Sequence, residues 1–143
     1  DIVFTLDDAN RWVPQAQVGD ATVNINFDVS QPASVFNRAA ARHYDANGGI
    51  VAAGDLTERP VILGLRTLMQ PVTTELSMQG LALGPSFART NAPLLGAFEP
   101  DAVVVEAQTQ SLPPAITLGR EALSHCSSIS VDNHSKRLTM RCL

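Results

Sequence analysis

The residues in this chain that could do chemistry are few and scattered. Two cysteines, Cys126 and Cys142, flank the last pair of apolar segments. Placed opposite each other on a hairpin, they are positioned for a disulfide. The apolar pattern there prefers a register one residue away, with Val131 facing Leu138 and Ile129 facing Met140. Both hold only if a β-bulge shifts the register between the turn and the cysteines. The other reading is two free, partly buried thiols. His43, His125 and His134 show no zinc-like spacing, so neither metal nor cofactor is expected. Cys126 and His125 do not make a nucleophile pair, because adjacent strand residues point to opposite faces. Gly48-Gly49 is a turn signal and not a phosphate loop, and Asn133-His134-Ser135 fits an exposed turn. Asp28 closes an alternating apolar segment, where a carboxylate can cap the following turn or helix.

The elements that must position these residues are mostly short strands. Trp12 to Val18, a Gly19-Asp20 turn and Ala21 to Phe27 read as a hairpin: Val23, Ile25 and Phe27 alternate with Thr22, Asn24 and Asn26. Residues 1–8 read as a terminal strand. After Pro32, the apolar residues Val35, Phe36, Ala39, Ala40 and Tyr44 form a helical stripe that Asn47-Gly48-Gly49 stops, predicting one main helix near 34–44. Residues 45–60 read mostly as loop. Val61 to Leu68 and Ala102 to Val105 read as strands, and Val72 to Gln79 alternates throughout. Arg120 to His125 fits one or two helical turns. Residues 127–131 and 137–142 form a closing hairpin.

The 143 residues fit a single domain, 1–143, of a size that buries roughly two-thirds of its unfolded surface. With 45% apolar and 17% charged residues the chain is not a disordered tail. A net charge of -4 argues against nucleic acid or an anionic membrane as partner. No apolar run reaches the roughly 20 residues that span a bilayer. The chain begins at Asp1, which suggests a processed or trimmed chain and decides nothing about a signal peptide; the expected location, with a disulfide, is exported: periplasmic, cell-envelope or secreted. A membrane anchor is not visible within the sequence.

Three stretches together resemble the single-domain, retropepsin-like aspartic proteases. Val23 to Val35 is similar to the family's apolar strand ending in Asp-Thr-Gly-Ala/Ser, with Asp28-Val29-Ser30 at the motif. Ile116-Thr117-Leu118-Gly119-Arg120-Glu121-Ala122-Leu123 resembles its apolar-apolar-Gly motif and short helix. The segment from Ile129 to Met140 resembles the hairpin that closes such subunits. The span runs from about residue 12 to the end.

The resemblance implies a mainly β, retropepsin-like acid-protease fold, a small closed or folded-over barrel with one main helix. It implies Asp28 as the acid/base, framed by Ser30 and Gln31. A flap near Gly64 to Gln70 would supply the substrate contacts Gly64, Leu65 and Arg66. Family enzymes hold a water between two carboxylates that share a proton. This chain has one such Asp, so family-type activity requires a homodimer on a two-fold axis. Val29 stands where the family has Thr or Ser and lacks the hydroxyl that locks the two motif loops together. Ser30 stands where Gly allows a tight turn. The expected function is an aspartic endopeptidase acting on peptide or protein substrates, as a homodimer or on its own chain. The alternative is an inactive, protease-like module that binds extended peptides. A third is a structural envelope domain.

Overall fold

A computed structural model of the chain describes residues 2–6, 14–60, 66–89 and 113–142. The alternation read from Gln15 onward makes the central hairpin. β2 (Pro14–Val18) and β3 (Ala21–Asp28) pair antiparallel, with Val18 opposite Ala21 across the two-residue Gly19-Asp20 turn. Val18, Val23 and Ile25 are buried. On its other edge β3 pairs in parallel with β11 (Ala115–Gly119), a strand from late in the chain. β11 lies between β3 and β4 (Ser34–Phe36), although β3 and β4 are consecutive in sequence.

The sheet extends from β4 to β10 (Ser86–Arg89), then β7 (Arg66–Thr74), then β5 (Ile50–Ala52). Beyond β2 it continues through β1 (Ile2–Leu6) and β13 (Arg137–Cys142) to β12 (Cys126–Asp132). β6 (Thr57–Pro60) pairs with β7, and β8 (Ser77–Met78) with β9 (Leu81–Ala82). The mainly β architecture holds, but the closed barrel does not. The order runs from β12 to β5 with no pairing between those two strands, so the sheet stays open.

The main helix, α1 (Arg38–Ala46), starts later than the apolar stripe implies. Val35 and Phe36 are extended in β4, opposite Thr117 and Ile116. A β-branched and an aromatic residue bury as well on a pleat as on a helix. Asn37 separates the two elements. Its Oδ1 accepts from the N–H of Ala40 (2.9 Å), capping α1, and from the N–H of Ala115 (3.1 Å). Its Nδ2 donates to the Pro113 carbonyl at 2.8 Å. One side chain therefore ties the helix start to β11. Asn37→Ala should cost about 2 kcal/mol or more in urea unfolding, with Asn37→Asp intermediate because it keeps both accepting roles.

Tyr44 anchors α1 to the core, edge-to-face with Phe36 at 5.8 Å between ring centroids. It is 1% exposed, and its hydroxyl donates to the Val18 carbonyl. Burial first, and the nearby Asp20 charge second, push that hydroxyl up to about 12. An unfolded tyrosine ionises near pH 10. The unfolded chain therefore loses its proton first as pH rises. The stability linked to the neutral phenol is complete below about pH 10 and lost between about 10 and 12. Tyr44 is the only tyrosine, so tyrosinate absorbance reports it directly. The native midpoint should lie near 12 and return to about 10 in urea.

Two further segments depart from the sequence reading. β5 and β6 form within 45–60, where a loop is expected. Both are short and mostly exposed, so they carry little apolar period and are held by the ladder to β7. The alternating stretch from Val72 to Gln79 is not one strand. β7 ends at Thr74, whose Oγ1 donates to the Gly49 carbonyl (2.7 Å) and accepts from the N–H of Leu76 (3.0 Å). Gln79 (φ 50°) and Gly80 (φ 89°) then turn β8 into β9, a two-residue turn with both φ positive. The strand expected at Ala102 to Val105 lies outside the described residues, as do Val61 to Leu65.

At the closing hairpin, Ile129 pairs with Met140 and Val131 with Leu138, while Cys126 faces Cys142. A register shift between Cys126 and Ser128 reconciles the two. The cysteines form a disulfide with Cα atoms 3.9 Å apart.

Candidate functional site

Asp28 is the last residue of β3 and sits opposite Gly119 in the parallel β3–β11 pair. This places the two halves of the sequence pattern, Asp28-Val29-Ser30 and Ile116 to Leu123, side by side. The turn after Asp28 is closed by its own side chain. Asp28 Oδ1 accepts from the backbone N–H of Ser30 at 3.0 Å and from the Ser30 hydroxyl. The Gln31 N–H donates to the Asp28 carbonyl at 3.3 Å. Among the described residues, no hydrogen bond engages Asp28 Oδ2.

The short helix α2 (Arg120–Leu123) locks this turn from the other side. A helix start has backbone N–H groups without intrahelical partners. Here the N–H of Arg120 donates to the Gln31 carbonyl (2.7 Å) and that of Glu121 to the Pro32 carbonyl (2.9 Å). The Gly119 N–H donates to the Oγ of buried Ser34 at 3.0 Å. Gly119 has no room for a side chain: a Cβ there would lie 2.4 Å from the Ala33 carbonyl oxygen. Only glycine lets the two backbones meet this closely. The Arg120 Nη1 reaches the Val29 carbonyl at 3.4 Å. Val29 itself projects outward, 66% exposed.

The β6–β7 hairpin borders the same turn. Arg59 on β6 lies over the Phe87 ring, 4.5 Å from its centroid, and its Nη2 donates to Gln31 Oε1 at 3.5 Å. Of the residues read from sequence, Asp28, Ser30 and Gln31 are thus brought together. Gly64 and Leu65 lie outside the described residues. Arg66 lies on β7 opposite Pro60 and turns to Glu58, with its Nε 3.5 Å from Glu58 Oε2. It lies at the end of the β6–β7 ladder nearest the connecting residues 61–65, and among the described residues no hydrogen bond or ion pair joins it to the Asp28 turn.

Two residues at this site escape the sequence reading. Arg59 falls in a segment without apolar period. Arg120 reads as a solvated surface charge, although its place directly after the apolar-apolar-Gly run is a usable signal.

Chemically, among the described residues the site offers one carboxylate, with one oxygen committed to Ser30. A lone carboxylate can accept a hydrogen bond from a ligand or orient a water. The shared-proton chemistry of a carboxylate pair needs a second one. Among the described residues no group of three or more His, Cys, Asp or Glu side chains could hold a metal ion. His43 is instead bonded to Asp20, Nε2 to Oδ1 at 2.8 Å. That hydrogen bond, more than the histidine's charge, holds the Asp20 carboxyl below its ordinary value.

No family model, curated protein or solved structure matches this chain.

Proposed function

We propose that the chain is a retropepsin-like domain that holds an extended peptide between the Asp28 turn and the β6–β7 hairpin, and that a single chain does not hydrolyse it. The observation that carries the reading is the contact of Arg59 with Gln31 at 3.5 Å, which brings the β6–β7 hairpin against the Asp28 turn. β6 pairs with β7, and among the described residues its other edge carries no strand. A free edge of this kind can take an added strand through main-chain hydrogen bonds. The self-capped Asp28 and the missing hydroxyl at Val29 support binding without cleavage. The insertion of β11 between β3 and β4, with Gly119 facing Asp28, supports the retropepsin-like reading of the fold.

The test is a library of extended peptides screened for retention. Bound peptide should shift the amide signals of Ser30, Gln31 and residues 57–60. Arg59→Ala should weaken binding by about tenfold, the loss of one charge-assisted contact, while Asp28→Asn should change it less than threefold or so. Binding indifferent to Arg59→Ala, or no retained peptide, would remove this reading.

A second reading, an aspartic endopeptidase formed by two copies, is favoured by Asp28 Oδ2, which no hydrogen bond engages among the described residues, and by the exposed Val29 beside it. In it the two copies of Asp28 share a proton as acid and base. A strict monomer at assay concentration would exclude it. An exported location belongs to the same proposal and is supported by the disulfide, which persists in oxidising compartments. No helix among the described residues is long and apolar enough to cross a membrane.

A further inference from the structure

Among the described residues the sheet ends at β12, and every residue from Ser127 to Arg137 is exposed. In an antiparallel ladder alternate residues turn their N–H and C=O groups away from the paired strand. Along β12 these groups face outward at every second position, where a further strand can take them up. Proteins guard such edges with lysine, proline or a bulge. β12 reads Cys-Ser-Ser-Ile-Ser-Val-Asp, with neither lysine nor proline. Its register shift lies at its start, between Cys126 and Ser128, and leaves the rest of the strand regular.

The side chains follow the same alternation. Ile129 and Val131 share a face with Met140 and Leu138, their partners on β13, and with Ile2 and Phe4 beyond them on β1. Those four are buried, yet Ile129 and Val131 stay 49% and 52% exposed. The apolar face therefore runs past the core and meets solvent at the sheet edge. A two-fold contact must be self-complementary, and β12 is. With Ser130 on the axis, antiparallel pairing sets Ile129 of each copy opposite Val131 of the other. Ser130 meets its own copy, and Asp132 meets Ser128, so no like charges stand opposite each other. Asp132 also comes to the end of the hairpin that carries Arg141, the β13 partner of Ser128. An axis at Ile129 would set Val131 opposite Ser127, and one at Val131 would set Ile129 opposite Asn133, so the apolar pairs select Ser130.

We propose that β12 pairs with β12 of a second copy of this chain, antiparallel about Ser130, and so continues the sheet through a symmetric dimer. This contact is separate from the Asp28 turn and does not depend on what that turn does. It is also not the arrangement a carboxylate pair needs. Asp28 ends β3, four strands in from β12. The two copies of Asp28 would stand nine strand spacings apart, about 40 Å along the sheet. The dimer is small. A seven-residue strand edge buries less than the roughly 1,200 Å² of a standard interface, so a Kd of about 100 μM is expected.

Sedimentation equilibrium of the whole chain, from about 10 μM to about 1 mM, measures it. Val131→Lys should weaken the dimer at least about tenfold. Val131 is exposed, so the variant should keep its fold, as its thermal melt will show. Val3 is an exposed valine on β1, two strands in from the edge, and Val3→Lys should leave the dimer unchanged. Mild oxidation of Ser130→Cys should cross-link the dimer, because residues on the axis face each other at about 5 Å between Cα atoms. Ser128→Cys should not cross-link, because its copy lies four residues away along the strand, about 13 Å. Three results would overturn the proposal. One is a strict monomer up to about 1 mM, which would leave the edge to a strand of another protein. The others are dimerisation unchanged in folded Val131→Lys, and Ser128→Cys cross-linking as readily as Ser130→Cys.

Discussion

Gly119→Ala will destabilise the domain by about 3 kcal/mol or more, a fall of roughly 10 °C in Tm. The reason is steric and local. Gly119 has φ -89° and ψ 177°, ordinary extended backbone, so the substitution brings no conformational strain of its own. The added Cβ instead meets main chain, 2.4 Å from the oxygen and 2.5 Å from the carbon of the Ala33 carbonyl, and 2.9 Å from the Pro32 oxygen. Main chain cannot rotate aside as a side-chain tip can. Relief requires the turn after Asp28 to part from β11 and α2, breaking the Arg120–Gln31, Glu121–Pro32 and Gly119–Ser34 hydrogen bonds. Gly48 is the control. It has open space around it but φ +74°, so Gly48→Ala should cost only about 1–2 kcal/mol. Urea unfolding of both variants measures the difference. A Gly119→Ala cost below about 1 kcal/mol would mean that the turn and α2 are not clamped as described.

Removal of the Cys126–Cys142 disulfide should cost about 3 kcal/mol, the loop-closure value for a link of this size; the sequence separation is 16. Among the described residues β12 is the last strand of the sheet and pairs only with β13. Ile129 and Val131 are 49% and 52% exposed, so little burial holds it in place. Both cysteines are partly buried against the core, and the link closes the hairpin beyond its bulge. The paired Cys126→Ser, Cys142→Ser variant and the reduced wild type should show the same fall in urea midpoint. Amide exchange should rise first in β12. An unchanged midpoint would show that the hairpin is held by its ladder alone.

The parts of this fold legible in the sequence are those where alternation and turn chemistry agree. The β2–β3 hairpin combines Val23 and Ile25 on one face with a Gly19-Asp20 turn, and it forms as read. The closing hairpin poses a conflict between its apolar register and its cysteines, and a bulge is the one device that satisfies both. The helix boundary was harder to place because Val35 and Phe36 serve a strand and a helix equally well. What decides is the partner strand β11, about 80 residues away, which periodicity cannot reveal. β5 and β6 are held by pairing with β7 and not by their own pattern. The Val72 to Gln79 alternation hides a turn, because Gln79 adopts a positive φ that residues other than Gly rarely take.

At the candidate site, Asp28 was legible as a carboxylate that closes an alternating strand, and Ser30 and Gln31 only through the resemblance to the retropepsin-like motif. Arg59 was not, since its position depends on how the β6–β7 hairpin folds back over the turn.

The most direct test of the central claim is hydrolysis. The pure domain and its Asp28→Asn variant would be incubated with a mixed peptide library from about pH 3 to 7, the range in which a carboxylate pair shares a proton, and followed by mass spectrometry. The self-capped, single Asp28 predicts an intact library and an intact chain with both proteins. Defined fragments made by the wild type, blocked by pepstatin and absent with Asp28→Asn, would contradict it and establish an active aspartic protease built from two copies of this turn.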